Sequence, residues 1–551
     1  MTQKTEFTLN RRAALMMMGA AGASGLILPS MIGRDAAFAA NASAEGKLVL
    51  SFSQEPTNFN PFMPHIEVDE GVYYSVFDTL FDFDPEGNLF PVLATEVPTV
   101  ANGGISADGL TWTVKLKEGV TWHDGKPFTA EDVKFSLQLP MEKDFRSGRS
   151  TGYALVQEIT VVSPTEIRWT MSIPFAPMSA VLASTWIVPK HAFDGVADKN
   201  TAPFNNAPIG TGPFKWKNRM AGDHIELEAN AAYHMDGPYF KTLILKYIPD
   251  LNVMYTQFKA GDIDVVGLQW ITPDHYEEAK ALPGKTVEVA GSGTFESFGL
   301  NMMRPQFQDL AVRQALYAAI DKQSIIDALY YGIPQPTETY MPQQSAYYNP
   351  DLPKHEYSLE TANKLLDDAG WAKGADGIRA KDGVRLSFTN STTAGNHLRE
   401  QVQQFLQQSF KDIGVEMTIS NLPPAVMWGD YWMKSEFDTV IVGLNVLLGA
   451  DPDISDYFRS TNSPARGGAG QNTFCYQSAE VDALLDEGGK TFVPEDRKPI
   501  YRKMQEVIRN DLPMLPIFQY AVVKGRKANV TGPVPNVNNR VDSWNIRTWK
   551  I

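Results

Sequence analysis

The sequence predicts an α/β protein, and three stretches carry that prediction. In the first, Thr111 to Leu137, Trp112, Val114 and Leu116 alternate with Thr113, Lys115 and Lys117. A period of two describes a half-buried strand. Glu118-Gly119 turns the chain toward a second short strand, Val120 to Trp122, and His123-Asp124-Gly125-Lys126-Pro127 is a turn by its Gly and Pro. Thr129, with Asp132 three residues on, predicts a helix N-cap with an acid in the first turn. Val133 and Leu137 then share one helix face. In the second stretch a helix over Val253 to Ala260 ends at Gly261, and Asp262 to Val266 follows as a strand. In the third, Leu398, Val402, Phe405, Leu406 and Ile413 mark an amphipathic helix, Gly414 follows it, and Val415, Met417 and Ile419 alternate as a strand. Helices and strands interleave along the chain, as in α/β proteins.

The start of the chain reads as a targeting segment, residues 1–39. Arg11-Arg12 precede an apolar, small-residue run that continues to Leu28, and Ala37-Phe38-Ala39 is an A-x-A cleavage pattern. Gly, Ser and Pro29 interrupt the run, so a signal peptide is expected rather than a membrane anchor. The paired arginines resemble a twin-arginine signal. Leu15 fits that pattern, whereas Asn10 and Ala14 depart from it. The one cysteine, Cys475, lies far from the cleavage site, so no lipid-attachment Cys is present and no internal disulfide can form. These features predict a free, exported protein in a Gram-negative periplasm.

Lys+Arg number 49 and Asp+Glu 64, a formal charge of −15. Without residues 1–39 the charge is about −17, which disfavours nucleic acid and anionic membrane as partners. Roughly 510 residues remain, enough for two to four domains.

Leu48 to Phe52 reads as the first strand, followed by a polar loop through Pro61. Asp82 to Gly87 is a turn, and Ala207-Pro208-Ile209-Gly210-Thr211-Gly212-Pro213-Phe214 is a tight turn entering a strand at Phe214 to Trp216. The latter lacks the Gly-Lys-Ser/Thr ending of a phosphate loop, and no helix pattern follows. Leu243 to Ile248 is a strand. From Asp309 an apolar stripe of Val312, Ala315, Leu316, Ala319 and Ile320 predicts a helix, with Gly332 after its end. Ser358 caps a helix ending at Gly370. Leu386 to Phe388 is a strand that leads into a polar loop, Asn390 to Thr393. Phe437 to Val442 is a strand, Ser478 to Asp486 and Glu495 to Asn510 are helices, and the tail from Leu515 to Ile551 returns as strands.

LKEGVTWHDGKPFTAEDVKFS, residues 116–136, resembles the signature of the family 5 extracytoplasmic solute-binding proteins, the peptide-binding-protein class of ABC importers. The Pro56 to Pro61 loop, the Ala207 to Phe214 turn, the Gly261 to Val265 step and Asp309 to Ile325 match that family as well. The resemblance covers essentially the whole chain after residue 39. It implies a two-lobed, type II periplasmic binding protein fold with an extra inserted domain, closing around an interlobe cleft. The limits implied are 40–75, 205–291 and 516–551 for lobe I, 76–204 for the inserted domain II, and 292–515 for lobe III. The partners implied are a solute and the permease and ATPase subunits of an inner-membrane transporter, with the binding protein itself a monomer and without a cofactor or metal.

A cleft for polar solutes needs aromatic platforms and amide or hydroxyl groups. The family resemblance assigns a ligand-contacting Trp to Trp428, with Trp432 four residues on; the same spacing also suits two core residues on one helix face. It assigns a ligand-side Asn to Asn390; Tyr520, on the returning strand, is a further ligand-contact candidate. Glu67, within Ile66 to Val68, aligns with a loop that contacts peptide backbone. The sequence departs from the family after the Asp438 strand. Peptide-binding relatives carry an Asp there that holds the peptide α-amino group. Here the segment runs Gly443 to Pro452, and Leu447 or Leu448 takes the Asp position, with Leu444 or Asn445 at the preceding Trp. A buried ammonium without its carboxylate is costly. Asp451 and Asp453 are the nearest substitutes, although Asp beside Pro is also an ordinary turn residue.

The expected function is therefore capture of an oligopeptide or similar extended polar solute, with an oligosaccharide or an opine-like conjugate as the alternative ligand. A twin-arginine-exported enzyme is the reading of a different class. Eight scattered histidines, no H-E-x-x-H and a single Cys argue against catalysis.

Overall fold

A computed structural model describes residues 45–148, 152–539 and 541–551. The signal peptide expected over residues 1–39, with its twin-arginine pair, lies outside the described residues. Among the described residues an eleven-stranded mixed sheet runs through both lobes. Lys47–Phe52 lies parallel to both Thr242–Tyr247 and Val265–Ile271. Phe214–Met220 and His224–Ala229 extend that half as an antiparallel edge. In the other half Ser387–Ser391 pairs parallel with Glu416–Ile419 and with Thr439–Leu444.

Two long strands join the halves. Lys285–Leu300 and Met514–Lys527 are antiparallel partners along most of their length. Their register breaks between Gly291 and Phe295, so one ladder (Lys285 to Gly291 with Ala521 to Lys527) belongs to one lobe and a second (Phe295 to Gly299 with Met514 to Gln519) to the other. A break in the ladder is where a sheet bends most easily.

The 111–137 stretch folds largely as its pattern predicts. Thr111–Lys115 is a strand with Trp112 and Val114 buried, and Ala130–Gln138 is a helix whose Thr129 and Asp132 form a capping box. Val120 to Trp122 forms no strand; a single bridge, Thr121 to Pro127, closes the turn instead. The strand joins Val156–Ser163 and Glu166–Met171 in a separate three-stranded sheet, where Trp112 stacks on Trp169 at 5.9 Å and 16°.

This smaller sheet shares one hydrophobic core with lobe I. The core runs without interruption from Leu48 and Leu50 through Trp112, Trp169 and Phe204 to Trp549. The Ala207 to Phe214 turn locks the seam. A Cβ on Gly210 would stand 1.7 Å from the Val76 carbonyl oxygen, so only glycine fits. The Gly210 N–H donates to His123 Nδ1 at 3.2 Å, and His123 Nε2 donates to the Gly212 carbonyl at 3.0 Å. These bonds need a neutral imidazole, and burial lowers the His123 pKa to about 4.

Other differences from the sequence pattern have local causes. The stripe from Asp309 is two helices, Leu310–Ala318 and Lys322–Tyr330, because Asp321 caps the second through its bond to the Ser324 N–H. Asn390 and Ser391 belong to a strand rather than a loop, paired with Thr439 and Val440. After Lys527 the tail forms loops and a short 3₁₀ segment, Asp542–Thr548, in place of further strands.

Candidate functional site

The register break puts main-chain groups at the floor of the space between the lobes. A cavity of about 330 Å³ sits there, lined by Gly291, Ser292, Gly293 and Thr294 from one crossing strand and by Tyr520 and Val522 from the other. Arg399, Gly443 and Asn445 supply one wall; Glu67, Trp270, Asn536 and Asn539 supply the opposite one. A second cavity of about 240 Å³ adjoins it and shares Asn445 and Asn539. Its walls include Leu447, Leu448 and Gly449 from one lobe and His65, Glu70, Tyr74 and Trp186 from the other.

A buried ion pair anchors the first cavity. Glu296 is fully buried on the Lys285–Leu300 strand and binds Arg399 in a bidentate pair at 2.7 and 2.9 Å. The Tyr520 hydroxyl donates to the same carboxylate at 2.7 Å. Burial on its own would lower the Arg399 pKa, but the Glu296 charge outweighs it and holds the guanidinium firmly protonated. Burial and the same carboxylate raise the Tyr520 pKa, so its phenol stays neutral. The pair thus presents a fixed cationic edge and a phenol to the cavity.

On the facing wall Trp270 has φ +47, a left-handed conformation that a bulky residue rarely adopts. It sits where the register of Val265–Ile271 slips against Met514–Lys527. Its Nε1–H donates to Asp542 at 2.8 Å, and Lys524 pairs with the same Asp542. A strained aromatic residue turned toward a cavity and held by a carboxylate is a binding-site feature.

The residues singled out from sequence divide into two groups. Tyr520, Asn445 and Glu67 line the first cavity, and Leu447 and Leu448 line the second. Asn390, Trp428 and Trp432 line neither. Asn390 is fully buried; it donates to Thr439 Oγ1 at 2.9 Å and accepts from Gln403 Nε2 at 2.8 Å, so its amide is already in use. Trp432 is a core residue stacked on Phe437 at 5.6 Å and 20°. Trp428 is 41% exposed and meets Trp432 edge-on at 5.5 Å. The two do not share a regular helix face, because Gly429 between them leaves helical geometry at φ −89, ψ −137.

Asp451 forms a buried bidentate pair with Arg497 at 2.7 and 3.0 Å. Asp453 accepts from the Ser455 N–H at 3.0 Å and from the Ser455 hydroxyl at 3.0 Å. Both carboxylates are thus engaged in local structure, and Glu70 is the carboxylate beside Leu447 and Leu448, with His65 at 3.4 Å. Sequence reasoning missed Glu296, Arg399 and Trp270. Arg399 looks like one more polar position on an amphipathic helix, and the bulge that exposes Trp270 leaves no pattern. Among the described residues no cluster of His, Cys, Asp and Glu is arranged to hold a metal ion, and no helix is long and apolar enough to cross a membrane.

Comparisons with known proteins agree with this architecture. The oligopeptide-binding protein AppA of Bacillus subtilis is 29% identical over 98% of this chain and 99% of its own. Protein XP55 of Streptomyces lividans is 30% identical over 93% of this chain and 90% of its own. Among solved structures, AppA in complex with a nonapeptide superposes with a TM-score of 0.76, covering 92% of this chain and 99% of AppA. NikZ from Campylobacter jejuni, in complex with Ni(L-His), gives a TM-score of 0.78 at 26% identity, covering 92% of this chain and 99% of NikZ. Residues 88–466 match the middle region of the bacterial extracellular solute-binding proteins, family 5, and the chain belongs to that family.

Proposed function

We propose that the protein captures an oligopeptide or similar extended polar solute between its lobes and delivers it to the permease and ATPase subunits of an ABC importer. The observation that carries this reading is the pair of adjoining cavities along the seam, which share Asn445 and Asn539 and are floored by the two crossing strands. An extended ligand suits that shape, and the AppA structure holds a nonapeptide. The reading keeps lobe limits at 291/292 and 515/516, and the ladder break between Gly291 and Phe295 supports a bend in that region. The protein acts as a monomer, without a catalytic step.

Ligand recognition in the second cavity rests on stacking and neutral hydrogen bonds more than on the family's amine-binding Asp, since Leu447 and Leu448 stand in its place. Tyr74, Trp186, Asn445 and Asn539 supply the rings and amides. Glu70 is the carboxylate that would receive a free amine if one is bound. Calorimetry against free-amine di- to pentapeptides, their N-acetylated forms and neutral oligosaccharides separates these outcomes. Acetylated peptides are expected to bind as well as free ones. Binding only of free amines, abolished by Glu70→Gln, would transfer the anchoring role to Glu70. Binding only of oligosaccharides would replace the peptide reading with the sugar one. Native mass spectrometry of protein isolated without refolding identifies the natural ligand directly.

The export route proposed is the twin-arginine pathway to a Gram-negative periplasm. Mass spectrometry of the periplasmic fraction should show an N-terminus near Ala40. Changing Arg11 and Arg12 together to Lys should leave precursor in the cytoplasm; normal export of that variant would remove the twin-arginine route.

A further inference from the structure

Behind the cleft, on the side away from lobe III, lies a third cavity of about 390 Å³. No residue between 292 and 515 lines it, so opening or closing of the interlobe seam leaves its walls together. Tyr74 and Trp186, packed edge-to-face at 4.5 Å and 90°, stand between it and the second cleft cavity. Phe77, Phe90, Tyr233 and Trp544 complete the aromatic walls, and its size is within the ordinary range of small-molecule sites.

Its charged groups are unequally engaged. Asp78 is saturated, accepting from Tyr233 at 3.0 Å, from Thr211 at 2.9 Å and from His234 at 2.9 Å. Asp84 accepts twice from Asn88, at 2.7 and 3.1 Å. Asp82 is different. It is 8% exposed, and its Oδ1 accepts from the Phe83 N–H at 2.7 Å and distantly from Asn539 at 3.5 Å. Among the described residues nothing donates to its Oδ2. Arg547, in the Asp542–Thr548 3₁₀ segment of the tail, donates among the described residues only to the Asp236 carbonyl, at the long distance of 3.5 Å. The cavity therefore offers a carboxylate and a guanidinium, each with bonding capacity to spare, across a ring-lined space. Burial without a matching donor pushes the Asp82 carboxyl up to about 7, and a bound cation would reverse that.

We propose that this cavity is a second ligand site, separate from the cleft, for a small zwitterion of the free amino-acid class, with its ammonium on Asp82, its carboxylate on Arg547 and its side chain among Phe90, Trp186 and Trp544. Arg is suited to a planar carboxylate by its paired N–H groups. A ligand carrying both charges satisfies both residues at once, whereas a simple amine or a simple acid leaves one of them unmatched.

The test uses the purified protein and the twenty common L-amino acids, titrated by calorimetry at pH 7.5. At least one should bind. Its decarboxylated amine and its N-acetyl derivative should each bind tenfold or more weaker. Asp82→Asn and Arg547→Gln, each checked for an unchanged melting profile above pH 8 or a raised one, should weaken it by a similar factor. Location is read by ¹⁹F NMR of protein labelled with 5-fluorotryptophan: the amino acid should move the Trp544 resonance and leave that of Trp270, in the cleft, in place. The proposal is overturned if no amino acid binds at 10-millimolar-scale concentrations, if the amine alone binds as well, if both variants bind normally, or if Trp270 moves and Trp544 does not.

Discussion

Lobe I has two seams, and they are built from opposite materials. Its seam with the small three-stranded sheet is dry: one core passes through it, with Trp112, Trp169, Phe204 and Trp549 all buried. Main-chain contacts at Gly210 and Gly212, clamped by His123, fix the two units to each other. Its seam with lobe III is open and polar. Two strands cross it, the ladder between them is broken, and the intervening space holds amides, a phenol and a buried ion pair. Apolar burial scales with area and has no direction, so a dry seam holds its two sides together. A polar seam with a broken ladder can open, wet its groups and close again at small cost, as a hinged binding protein requires. The comparison predicts that any hinge motion sets lobe III against lobe I together with the small sheet, since the latter two share one core.

The largest effect should come from the dry seam. Gly210→Ala places a methyl 1.7 Å from a carbonyl oxygen of the neighbouring unit, and neither main chain can yield. We expect a loss of about 4 kcal/mol or more, or failure to fold, measured by urea unfolding. A variant of ordinary stability would show that the seam gives, and the comparison would fail. At the polar seam, Arg399→Met leaves the Glu296 carboxylate buried without its counter-charge, held only by the Tyr520 hydroxyl. The expected loss is about 3 kcal/mol. Adding Glu296→Gln should recover much of it, because the uncompensated charge is then gone. If the double variant is no better than the single one, Arg399 contributes packing rather than charge pairing.

The dry seam was far more legible in the sequence than the polar one. The alternation at Trp112, Val114 and Leu116 and the Thr129-to-Asp132 cap are local signals, and the structure carries both. The polar seam is made of residues distant in the chain. Glu296 and Arg399 are 103 residues apart, and nothing near either one announces the other. Leu447 and Leu448 were found through a missing family residue, and they do line the cleft. Asn390 comes from a family position and Trp432 from its spacing to Trp428, yet an Asn at the end of a buried strand and a Trp stacked on Phe437 have local partners that neither signal reveals. The break at Gly429, which separates Trp428 from Trp432, is also invisible to a periodicity count.

Asp82 lies at neither extreme, beside the dry seam but without the partners that seam usually provides. Its folded pKa is raised to about 7, against roughly 3.9 in an unfolded chain. Between those values the folded state binds more protons than the unfolded one, so stability falls as pH rises from about 4 to about 7. Asp82→Asn removes this dependence. It should stabilise the ligand-free protein on the order of 4 kcal/mol at pH 8 and have almost no effect at pH 4. Melting curves of both proteins across that range decide the matter. Parallel curves would mean that a donor already satisfies Asp82 in solution.

The smallest effects should separate two tryptophans that face different surroundings. Trp270 lines the cleft with its indole N–H held by Asp542, whereas Trp428 is exposed and lines none of the three cavities. Truncating a ring that packs on a ligand costs about 1–3 kcal/mol of binding. Trp270→Ala should therefore weaken the cleft ligand tenfold or more. Trp428→Ala should change affinity by less than about threefold and stability by about 0.5 kcal/mol or less. The family alignment leads to the opposite order, because it puts the ligand-contacting ring at Trp428. Calorimetry of the two variants with one peptide is enough to choose. A larger loss at Trp428 would mean that closure on the ligand carries the Met427–Tyr431 segment into the cleft, and the polar seam would then be wider than the two cavities that mark it here.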